Sequence, residues 1–366
     1  MPPNAIYVNG RFLTQSITGV QRYAQETLDA IDNLLGEAPY DNASWTVLAP
    51  KGTRIAKAWK NIRFRSVGHL HGHIWEQFEL PWYASDGLLL TLCGAPSVFH
   101  RRHIPAIHDA AIYDRSDGYS FLYRTYYRII YRLSVGRSLA IFTVSEFSRN
   151  RIAEVFRIPK ERIIVTYNGA DHITRSLPFE DSSSLITASI KRPYILAVSS
   201  MNPNKNFAIV TKLAELLADS DIRIVVAGGT NPRVFGNTGP LPDNVQWLGY
   251  VSDDDLKALY RSASCFIFPS LYEGFGLPPI EAMACGCPVI ASNAASITEI
   301  CGDAALYFDP SAVEDLKEQV LKLLESMTLP NKLRAVGIAH AKTYTWSNVA
   351  VDILQAINIS QLSRKC

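Results

Sequence analysis

Short apolar runs alternate with longer amphipathic segments along almost the whole chain. In the first half, five runs predict buried strands: AIYV (5–8), WTVLA (45–49), GLLLTL (87–92), IPAIH (104–108) and AIFTV (140–144). The segments between them, such as 19–35 and 118–137, have the periodicity of helices. Buried strands that alternate with helices are typical of a parallel sheet covered on both faces. The first half therefore predicts an α/β domain.

The polar stretch 175–193 interrupts this pattern and indicates a linker. Five further strands are predicted at YILAVS (194–199), IRIVVAG (222–228), CFIFP (265–269), PVIAS (288–292) and ALYFD (305–309), with helical patterns at 206–218, 253–262, 279–285, 312–326 and 331–342. We expect two Rossmann-like, doubly wound parallel-sheet domains, residues 1–180 and 190–345, facing a central cleft. A final helix is predicted at 345–362. In such sheets a ligand binds beyond the carboxyl ends of the strands, where the strand order reverses.

Composition narrows the class of protein without identifying it. The 366 residues are 48% hydrophobic and 19% charged, and the net charge of +2 does not indicate a nucleic-acid partner. The start of the chain, MPPNAIYVNGRF, lacks the pattern of a signal peptide, and no apolar run is long enough to span a bilayer. The six cysteines lie mostly among apolar or small residues, which indicates reduced core thiols of a cytosolic protein.

The stretch SLYEGFGLPPIEAMACGCPVIAS (270–292) has the features of an anion-binding turn. It follows a predicted strand and leads into a predicted helix. Gly274 and Gly276 let backbone N–H groups approach an anion, and Pro278 and Pro279 suit a first helical turn, where a missing N–H costs little. The helix start adds a partial positive charge. We therefore expect a phosphate group at this turn.

Two glutamates flank the turn and indicate that the ligand also carries hydroxyls. A carboxylate can accept two hydrogen bonds from a cis-diol. Glu281, expected in the first turn of the helix, suits a ribose, and Glu273 suits the hydroxyls of a second sugar. Lys205, which follows the strand at 194–199, suits a diphosphate between them. These residues together favour a nucleotide-sugar as the ligand.

Simpler interpretations remain open for each of these residues. Glu273 can be a solvated loop residue, Glu281 a complement to the helix dipole, and Lys205 a surface lysine. NAD binding is disfavoured, because Pro279 stands where the G-x-G-x-x-G fingerprint needs its third glycine. A nucleotide-sugar epimerase and a non-catalytic nucleotide-sugar-binding protein are the alternative functions. Release of nucleoside diphosphate only in the presence of an acceptor separates a transferase from an epimerase.

As a set, the motifs resemble those of the retaining glycosyltransferases of family 4, which have the GT-B fold. The family mark is a pair of glutamates separated by seven residues, here E-GFGLPPI-E from Glu273 to Glu281, followed by PVIAS. Further segments match as well, several of them similar to enzymes that build bacterial surface polysaccharides: TGVQRY (18–23), HIWEQFELP (73–81), IHDAAIY (107–113), TVSEFSRNRI (143–152), YNGA (167–170) and VSSMNPNKN (198–206).

The resemblance implies a role for each matching residue of the site. Glu281 resembles the glutamate that binds the donor ribose, Glu273 the one near the hydroxyls of the donor sugar, and Lys205 the diphosphate lysine. Gly19 matches a glycine near the diphosphate, and His108 a histidine that faces the transferred sugar. His108, Lys205 and Glu273 are the expected catalytic residues.

The remaining expected donor-binding positions lie in two loops. Backbone contacts to phosphate and sugar are implied for the turn formed by Gly274, Phe275, Gly276 and Leu277. In the phosphate loop the chain departs from the family pattern twice. Ser199 stands in place of a glycine and Asn204 in place of a basic residue, so one of two expected cations is missing.

The resemblance also implies a reaction and a location. We expect a sugar, with GDP-mannose as the first guess for its donor, to pass with retention to a glycan or lipid-linked acceptor in surface polysaccharide synthesis. Same-face attack assisted by the leaving phosphate is the implied mechanism, and no metal or other cofactor is expected. In relatives a final helix, here 346–366, crosses back to the first domain. The expected location is cytoplasmic, with the inner face of the plasma membrane as a further candidate.

Two other sequence patterns can each be interpreted in more than one way. Tyrosines recur every four residues, with arginines one position behind them: Tyr119, Tyr123, Tyr127, Tyr131, Arg124, Arg128 and Arg132. A basic aromatic helix of this kind either lies on an anionic membrane or packs its tyrosines on the sheet. His69, His71 and His73 would share one face if they lie on a strand. A metal site is then possible, but no carboxylate is expected close enough to fix which metal it binds, and the resemblance implies that none is needed.

Overall fold

The computed structural model describes residues 5–37, 43–55, 57–115, 118–175, 187, 190, 193–198, 202–229 and 241–362. The chain forms two compact units. Unit 1 combines Met1–Gly169 with Trp346–Cys366, and unit 2 is Ala170–Thr345. Most of the predicted linker at 175–193, and Ser199 in the predicted phosphate loop, lie outside the described residues.

Unit 1 is built on a parallel sheet. Its five strands are β1 Ala5–Asn9, β2 Ser44–Pro50, β3 Ile62–Val67, β4 Leu88–Thr91 and β5 His103–Pro105, and they lie in the order β3-β2-β1-β4-β5. Tyr7 in the central strand faces Thr46 on one side and Leu89 on the other. A parallel pair, β6 Ile141–Thr143 and β7 Ile163–Val165, follows, and a bridge from Ala106 to Phe142 joins it to the end of β5. The strand order reverses between β1 and β4.

Helices separate these strands, as the amphipathic segments predicted. They are α1 Gly19–Leu34, α2 Gly72–Ile74, α3 Leu80–Tyr83, α4 Ala111–Asp114, α5 Phe121–Val135 and α6 Glu146–Phe156, with single 3-10 turns at Arg11–Thr14 and Lys160–Arg162. A π-helical turn, Trp75–Glu79, joins α2 to α3.

Unit 2 has a second parallel sheet with the same kind of order. Its strands are β8 Tyr194–Val198, β9 Arg223–Ala227, β10 Val245–Gly249, β11 Cys265–Phe268, β12 Val289–Ser292 and β13 Ala305–Phe308. They lie in the order β10-β9-β8-β11-β12-β13, so the reversal falls between β8 and β11. This is the arrangement of a Rossmann sheet, and the predicted α/β class is confirmed.

The helices of unit 2 are α7 His172–Arg175, α8 Phe207–Leu216, α9 Asp253–Ser262, α10 Leu277–Ala284, α11 Ile297–Cys301, α12 Val313–Glu325 and α13 Leu329–Ala341, with 3-10 turns at Pro203–Lys205 and Gly302–Ala304. A buried apolar cluster on one face of the sheet includes Ile195, Ile224 and Ile267, packed against α8 and α12 through Leu213 and Leu316. The unit therefore has its own core.

The last helix, α14 Trp346–Leu362, belongs to unit 1, where it packs against α1. Trp346 is fully buried, and its ring contacts that of Tyr23 on α1 at 6.1 Å between centroids. Among the described residues, none of the helices is both long and apolar enough to cross a bilayer.

These elements bear on both patterns. Most of the tyrosines at 119–131 pack inward: Tyr127 is buried with Ile130, and Tyr119, Tyr126 and Tyr131 pack against the same cluster, whereas Tyr123 stays exposed. This packing leaves a membrane contact of the opposite helix face untested. Residues 69–73, here called the histidine segment, do not form a strand, because His69 lies in a loop and His73 within α2. The prediction that three imidazoles share one face of a strand is therefore wrong.

Candidate functional site

The predicted donor-binding residues of unit 2 lie at the point where its strand order reverses. Asn204 and Lys205 stand in the 3-10 turn after β8, and the turn from Glu273 to Gly276 follows β11. Because β8 and β11 are parallel neighbours, their carboxyl ends meet at the same edge of the sheet. This is where a doubly wound sheet binds its ligands.

Lys205 and Glu273 form an ion pair at this edge. The Nζ of Lys205 donates to Oε1 of Glu273 at 2.6 Å, and both side chains keep some solvent access, 27% and 15% of their surface. The same ammonium group lies 5.6 Å from the centre of the Phe268 ring. The sequence predicted both residues at a ligand but did not predict that they bind each other. A ligand can therefore bind Lys205 or Glu273 only if it breaks this ion pair or forms hydrogen bonds to both side chains while the pair persists.

The turn from Glu273 to Gly276, here called the glycine turn, leads directly into α10. Gly276 has φ +99°, a left-handed conformation that favours glycine, and Leu277 begins the helix with Pro278 in its first turn. A Cβ on Gly276 would lie 3.5 Å from the Phe268 ring, an ordinary contact, so the backbone conformation rather than crowding calls for glycine. The hydroxyl of Ser296, itself buried, donates to the carbonyls of Glu273 and Phe275 at 2.9 and 3.2 Å and holds the turn in shape.

Phe275 and Leu277 offer only backbone to a ligand. Both side chains are buried, and the ring of Phe275 packs edge-on against Tyr344 at 5.5 Å. Gly274 has no side chain to offer. The implied backbone contacts of this turn therefore agree with how the side chains are placed.

Glu281 is enclosed in a polar cluster. It is 6% exposed, and its Oε1 lies 2.9 Å from Nε2 of His172, which is also buried. Burial, and next the charge of Glu281, raises the pKa of Tyr260 well above its usual value. Burial also raises the pKa of Cys285 to about 12, with Glu281 as the second cause. Glu281 is therefore the negative centre of this part of unit 2.

The position of Glu281 on α10 differs from the prediction. It is the fifth residue of the helix, one turn beyond the first turn in which the sequence placed it. His172 was missed altogether, although it follows the YNGA segment (167–170) by only two positions. The sequence could have indicated it, because a histidine that closely follows a recognised motif is a candidate site residue. His172 is the first residue of α7.

Asn204, which stands where relatives have a basic residue, is a buried amide with spare hydrogen-bonding capacity. It is 4% exposed, its backbone carbonyl accepts from Leu271 N at 2.7 Å, and its backbone N–H donates to Asn202 Oδ1 at 2.9 Å. Its own side-chain oxygen finds no partner among the described residues. Buried polar atoms are nearly always paired, so this oxygen suits a hydrogen bond from a ligand.

The two predicted site residues of unit 1 are linked through Tyr23. Gly19 is the first residue of α1, and a Cβ built on it would meet nothing within 4 Å, so its backbone is open to a ligand. One turn later, Tyr23 packs edge-on against the imidazole of His108 at 4.8 Å. Nε2 of His108 lies 3.0 Å from the carbonyl oxygen of Leu92, to which it donates. Burial lowers the pKa of His108 to about 4, so this imidazole is neutral near pH 7 and supplies no charge to a diphosphate.

No group of three or more histidine, cysteine, aspartate or glutamate side chains is placed to hold a metal ion in the part of the chain that the structure describes. His73, one member of the histidine segment, instead binds the carboxylate of Glu76 at 2.8 Å.

Comparisons with known proteins show which families and folds this chain resembles. The family model of glycosyl transferases group 1 matches residues 185–340, and that of glycosyltransferase family 4 matches residues 37–173. The chain is 35% identical to the O-antigen chain mannosyltransferase B of Escherichia coli over 237 residues, which is 62% of each chain. The aligned part thus spans less than two thirds of that relative.

Solved structures share the fold over nearly the entire chain. The sucrose-phosphate synthase of Thermosynechococcus elongatus aligns with a TM-score of 0.73, at 16% identity and over 100% of both chains. Alr3699/HepE of Anabaena, solved with UDP-glucose, aligns with a TM-score of 0.70 at 17% identity, over 97% of this chain and 99% of that one. The predicted GT-B fold is therefore confirmed.

Proposed function

We propose that this chain, whose two parts match the family models of glycosyltransferase family 4 and glycosyl transferases group 1, is a retaining glycosyltransferase that uses a nucleoside-diphosphate sugar. The observation that carries the proposal is the Lys205–Glu273 pair beside the start of α10, at the reversal point of the unit 2 sheet. It joins a cation for phosphate to an acceptor for sugar hydroxyls within 2.6 Å.

When the donor binds, Lys205 would contact its diphosphate and Glu273 its sugar. The diphosphate carries more negative charge than Glu273 and attracts the Lys205 ammonium more strongly. Glu273 is then released to accept hydrogen bonds from hydroxyls of the transferred sugar. The N-terminal end of α10 adds its partial positive charge to that of Lys205.

The rest of the donor would be held by buried polar groups of unit 2. Glu281, oriented by His172 at 2.9 Å, is the acceptor for ribose hydroxyls, and Asn204 Oδ1, which has no partner among the described residues, accepts a further hydrogen bond. Fixed acceptors of this kind position a ligand with little reorganisation on binding.

The chemical step would need little from the side chains beyond positioning and charge. The bond between the anomeric carbon and the acceptor oxygen forms as the bond to the phosphate oxygen breaks, and the acceptor proton passes to the leaving diphosphate. Lys205 stabilises the charge that develops there. His108, neutral because of its burial, contributes hydrogen bonding or shape rather than charge.

GDP-mannose is the proposed donor, and a glycan or lipid-linked saccharide of surface polysaccharide synthesis is the proposed acceptor. The E. coli relative is an O-antigen chain mannosyltransferase, which supports mannose as the sugar and a surface polysaccharide as the product. A thermal-shift panel of nucleotide-sugars tests the donor, because a ligand at a hundred times its Kd adds about 2.7 kcal/mol to the unfolding free energy. Nucleoside diphosphate that is released only when a saccharide acceptor is added supports the reaction. Release at the same rate without acceptor contradicts it.

We also propose that unit 1 associates with the inner face of an anionic membrane. α5 exposes Phe121, Leu122, Ile129 and Leu133, and residues 118–137 contain four arginines and no acidic residue. The helical segment 72–83 adds a second apolar stripe with a spacing of four residues, Ile74, Phe78 and Trp82. Phe78 stacks on the exposed Phe99, which two arginines follow closely at 101 and 102. Aromatic and apolar side chains beside arginines match the chemistry of an anionic bilayer surface.

Sedimentation with vesicles of anionic phospholipid tests this location. Phe78→Ser combined with Trp82→Ser should weaken binding, and so should Arg124→Gln combined with Arg132→Gln; added salt should mimic only the second change. Tyr250→Ser, which removes an exposed aromatic ring from unit 2, is the matched control. A wild-type protein that stays in the supernatant at low salt would overturn the proposal.

A further inference from the structure

A charged cluster in unit 1 lies at the reversal point of its own sheet. Asn9 ends β1, and Arg11 stands in the 3-10 turn that follows it. β4, the neighbour of β1 on the other side of the reversal, leads into Cys93 and Gly94. Glu76 reaches this edge from the π-helical turn Trp75–Glu79, a kind of turn that is frequent at functional sites.

Glu76 is fully buried and held by three side chains. Its Oε1 accepts from Asn9 Nδ2 at 2.9 Å and lies 2.9 Å from Nε of Arg11, while its Oε2 lies 2.8 Å from Nδ1 of His73. Gly94 gives the carboxylate its space, because a Cβ there would lie 2.6 Å from Oε1, and the φ of +101° also favours glycine. A buried carboxylate is expensive unless it is paired in this way.

His73 is the member of the cluster that a ligand can reach. About a third of its side chain is exposed, and its ring packs on Tyr126 and Tyr127, with centroids 4.6 and 5.6 Å away. When Nδ1 donates to Glu76, Nε2 of the neutral ring is an acceptor. Nε2 makes no hydrogen bond to any residue that the structure describes.

Space for a ligand exists at the same edge of the unit 1 sheet. A cavity of about 490 Å³ is formed by Leu13 and Thr14 after β1, by Lys51 and Thr53 after β2, and by His71 and Gly72, which directly precede His73 in sequence. Its lining contains cationic and hydroxyl groups but no carboxylate. The volume lies within the range of small-molecule sites.

We infer that the His73–Glu76 dyad is a saccharide-hydroxyl site, in which Nε2 of His73 accepts a hydrogen bond from a hydroxyl of the acceptor sugar. Glu76 fixes the tautomer and the orientation of the ring, and Arg11 and Asn9 hold Glu76. The inference rests on the proposed function, because it names the part of unit 1 that recognises the acceptor saccharide. A purely structural dyad, which only attaches the segment 72–83 to the sheet, is the competing explanation.

NMR of the full chain tests the site without any turnover. The side-chain nitrogen resonances of ¹⁵N-histidine-labelled protein are followed while methyl α-D-mannopyranoside is added into the millimolar range. We expect the His73 Nε2 resonance to move and that of His69, an exposed histidine four positions earlier, to stay. Glu76→Met, which keeps the length of the side chain but leaves no oxygen to accept from Nδ1 of His73, should abolish the movement. Equal movement of both resonances, or none for His73, would overturn the inference.

Kinetics gives a second readout that a structural role would not change. With an acceptor that supports transfer, His73→Gln should raise the KM for acceptor at least tenfold and leave the KM for donor and the affinity for nucleoside diphosphate unchanged. His69→Gln is the matched control. If no acceptor supports transfer, the proposed reaction fails, while the NMR titration still decides whether the dyad binds a saccharide. An unchanged acceptor KM in His73→Gln would contradict the inference even if transfer itself is observed.

Discussion

Among single residues, the glutamate pair shows how two identical side chains acquire different chemistry. Glu273 lies on a turn, partly exposed, and its partner is a flexible lysine. Glu281 lies inside unit 2, and its partner is a buried histidine on another helix. The sequence identified both glutamates, Lys205 and the glycine turn, because their residue types carry the chemistry. It did not reveal His172, since a contact across 109 positions depends on how α7 and α10 pack.

The two glutamates should therefore respond differently to substitution. Glu281→Gln should weaken nucleoside diphosphate binding by about 1.5–3 kcal/mol, because a charged acceptor of buried hydroxyls is lost. That is roughly one to two decades in Kd. Glu273→Gln should lower kcat and leave nucleoside diphosphate affinity nearly unchanged, because its contacts are to the transferred sugar.

Calorimetry with nucleoside diphosphate, run beside steady-state kinetics, measures both effects. The unfolding free energy of each variant is the control, since Glu281→Gln also changes the contact to His172. Equal losses of nucleotide affinity in the two variants, or an undiminished affinity in Glu281→Gln, would show that the two roles are assigned wrongly.

A buried histidine in unit 1 makes stability depend on pH. Burial lowers the pKa of His103 to about 4, although its Nδ1 donates to the carbonyl of His100. The unfolded chain, with an ordinary histidine pKa near 6.5, takes up the proton first as the pH falls. The stabilisation is therefore present above pH 6.5 and is lost between pH 6.5 and 4, by about 2 kcal/mol between pH 7 and pH 5.

His103→Asn tests this, because its amide can still donate to the His100 carbonyl. Urea unfolding at pH 7 and pH 5 should show a pH dependence smaller by about 2 kcal/mol in this variant than in the wild type. His69→Gln, at an exposed position, should leave the difference unchanged. A full wild-type pH dependence in His103→Asn would show that other groups are responsible.

Among the strands of the two main sheets, those with an uninterrupted apolar run could be predicted, and the edge strands β3 and β10 could not. The central strands β1, β4, β8 and β11 are continuous apolar runs, because helices cover both of their faces. β3, IRFRSV, alternates apolar and polar residues, and every residue of β10 keeps some exposure. Both lie at a sheet edge, where one side is open to solvent, and neither has an uninterrupted apolar run, unlike the edge strands β5 and β13.

Close packing of α13 on α10 connects a helix remote from the ligand with the helix that carries Glu281. Gly337 on α13 faces Met283 on α10, and a Cβ on Gly337 would lie 3.2 Å from its Cγ and 3.6 Å from its Cα. Gly337→Leu should therefore cost about 1–3 kcal/mol of unfolding free energy through overpacking. It should also weaken nucleoside diphosphate binding by displacing α10.

Chemical denaturation and calorimetry measure these two effects of Gly337→Leu. Gly136→Ala is the control, because a Cβ there meets nothing within 4 Å and the φ of −62° suits any residue. If Gly337→Leu is as stable as Gly136→Ala, the contact between the two helices is looser than the distances indicate.

For the whole molecule, the charges at the donor site decide whether we expect sugar transfer to need a metal ion. Among the residues that the structure describes, Lys205 and the start of α10 are positive groups beside the glycine turn, and Asn204 stands where a second cation was expected. We predict that transfer persists in EDTA, because the diphosphate is neutralised by protein groups alone. Turnover with and without chelator, followed by addition of Mg²⁺ or Mn²⁺, measures this. Activity that disappears in chelator and returns with either ion would show that the donor site recruits a cation.

The return of the chain to unit 1 has a consequence for how the protein is made. Unit 1 buries Trp346 and other residues of α14, yet 176 residues of unit 2 separate that helix from Gly169. A ribosome adding about 5–20 residues per second needs roughly 10–35 s to synthesise that intervening part. During this interval the part of α1 that packs against α14 lacks that partner, although Tyr23 can already contact His108, while unit 2 can already fold. The first unit to emerge from the ribosome is thus the last to be completed.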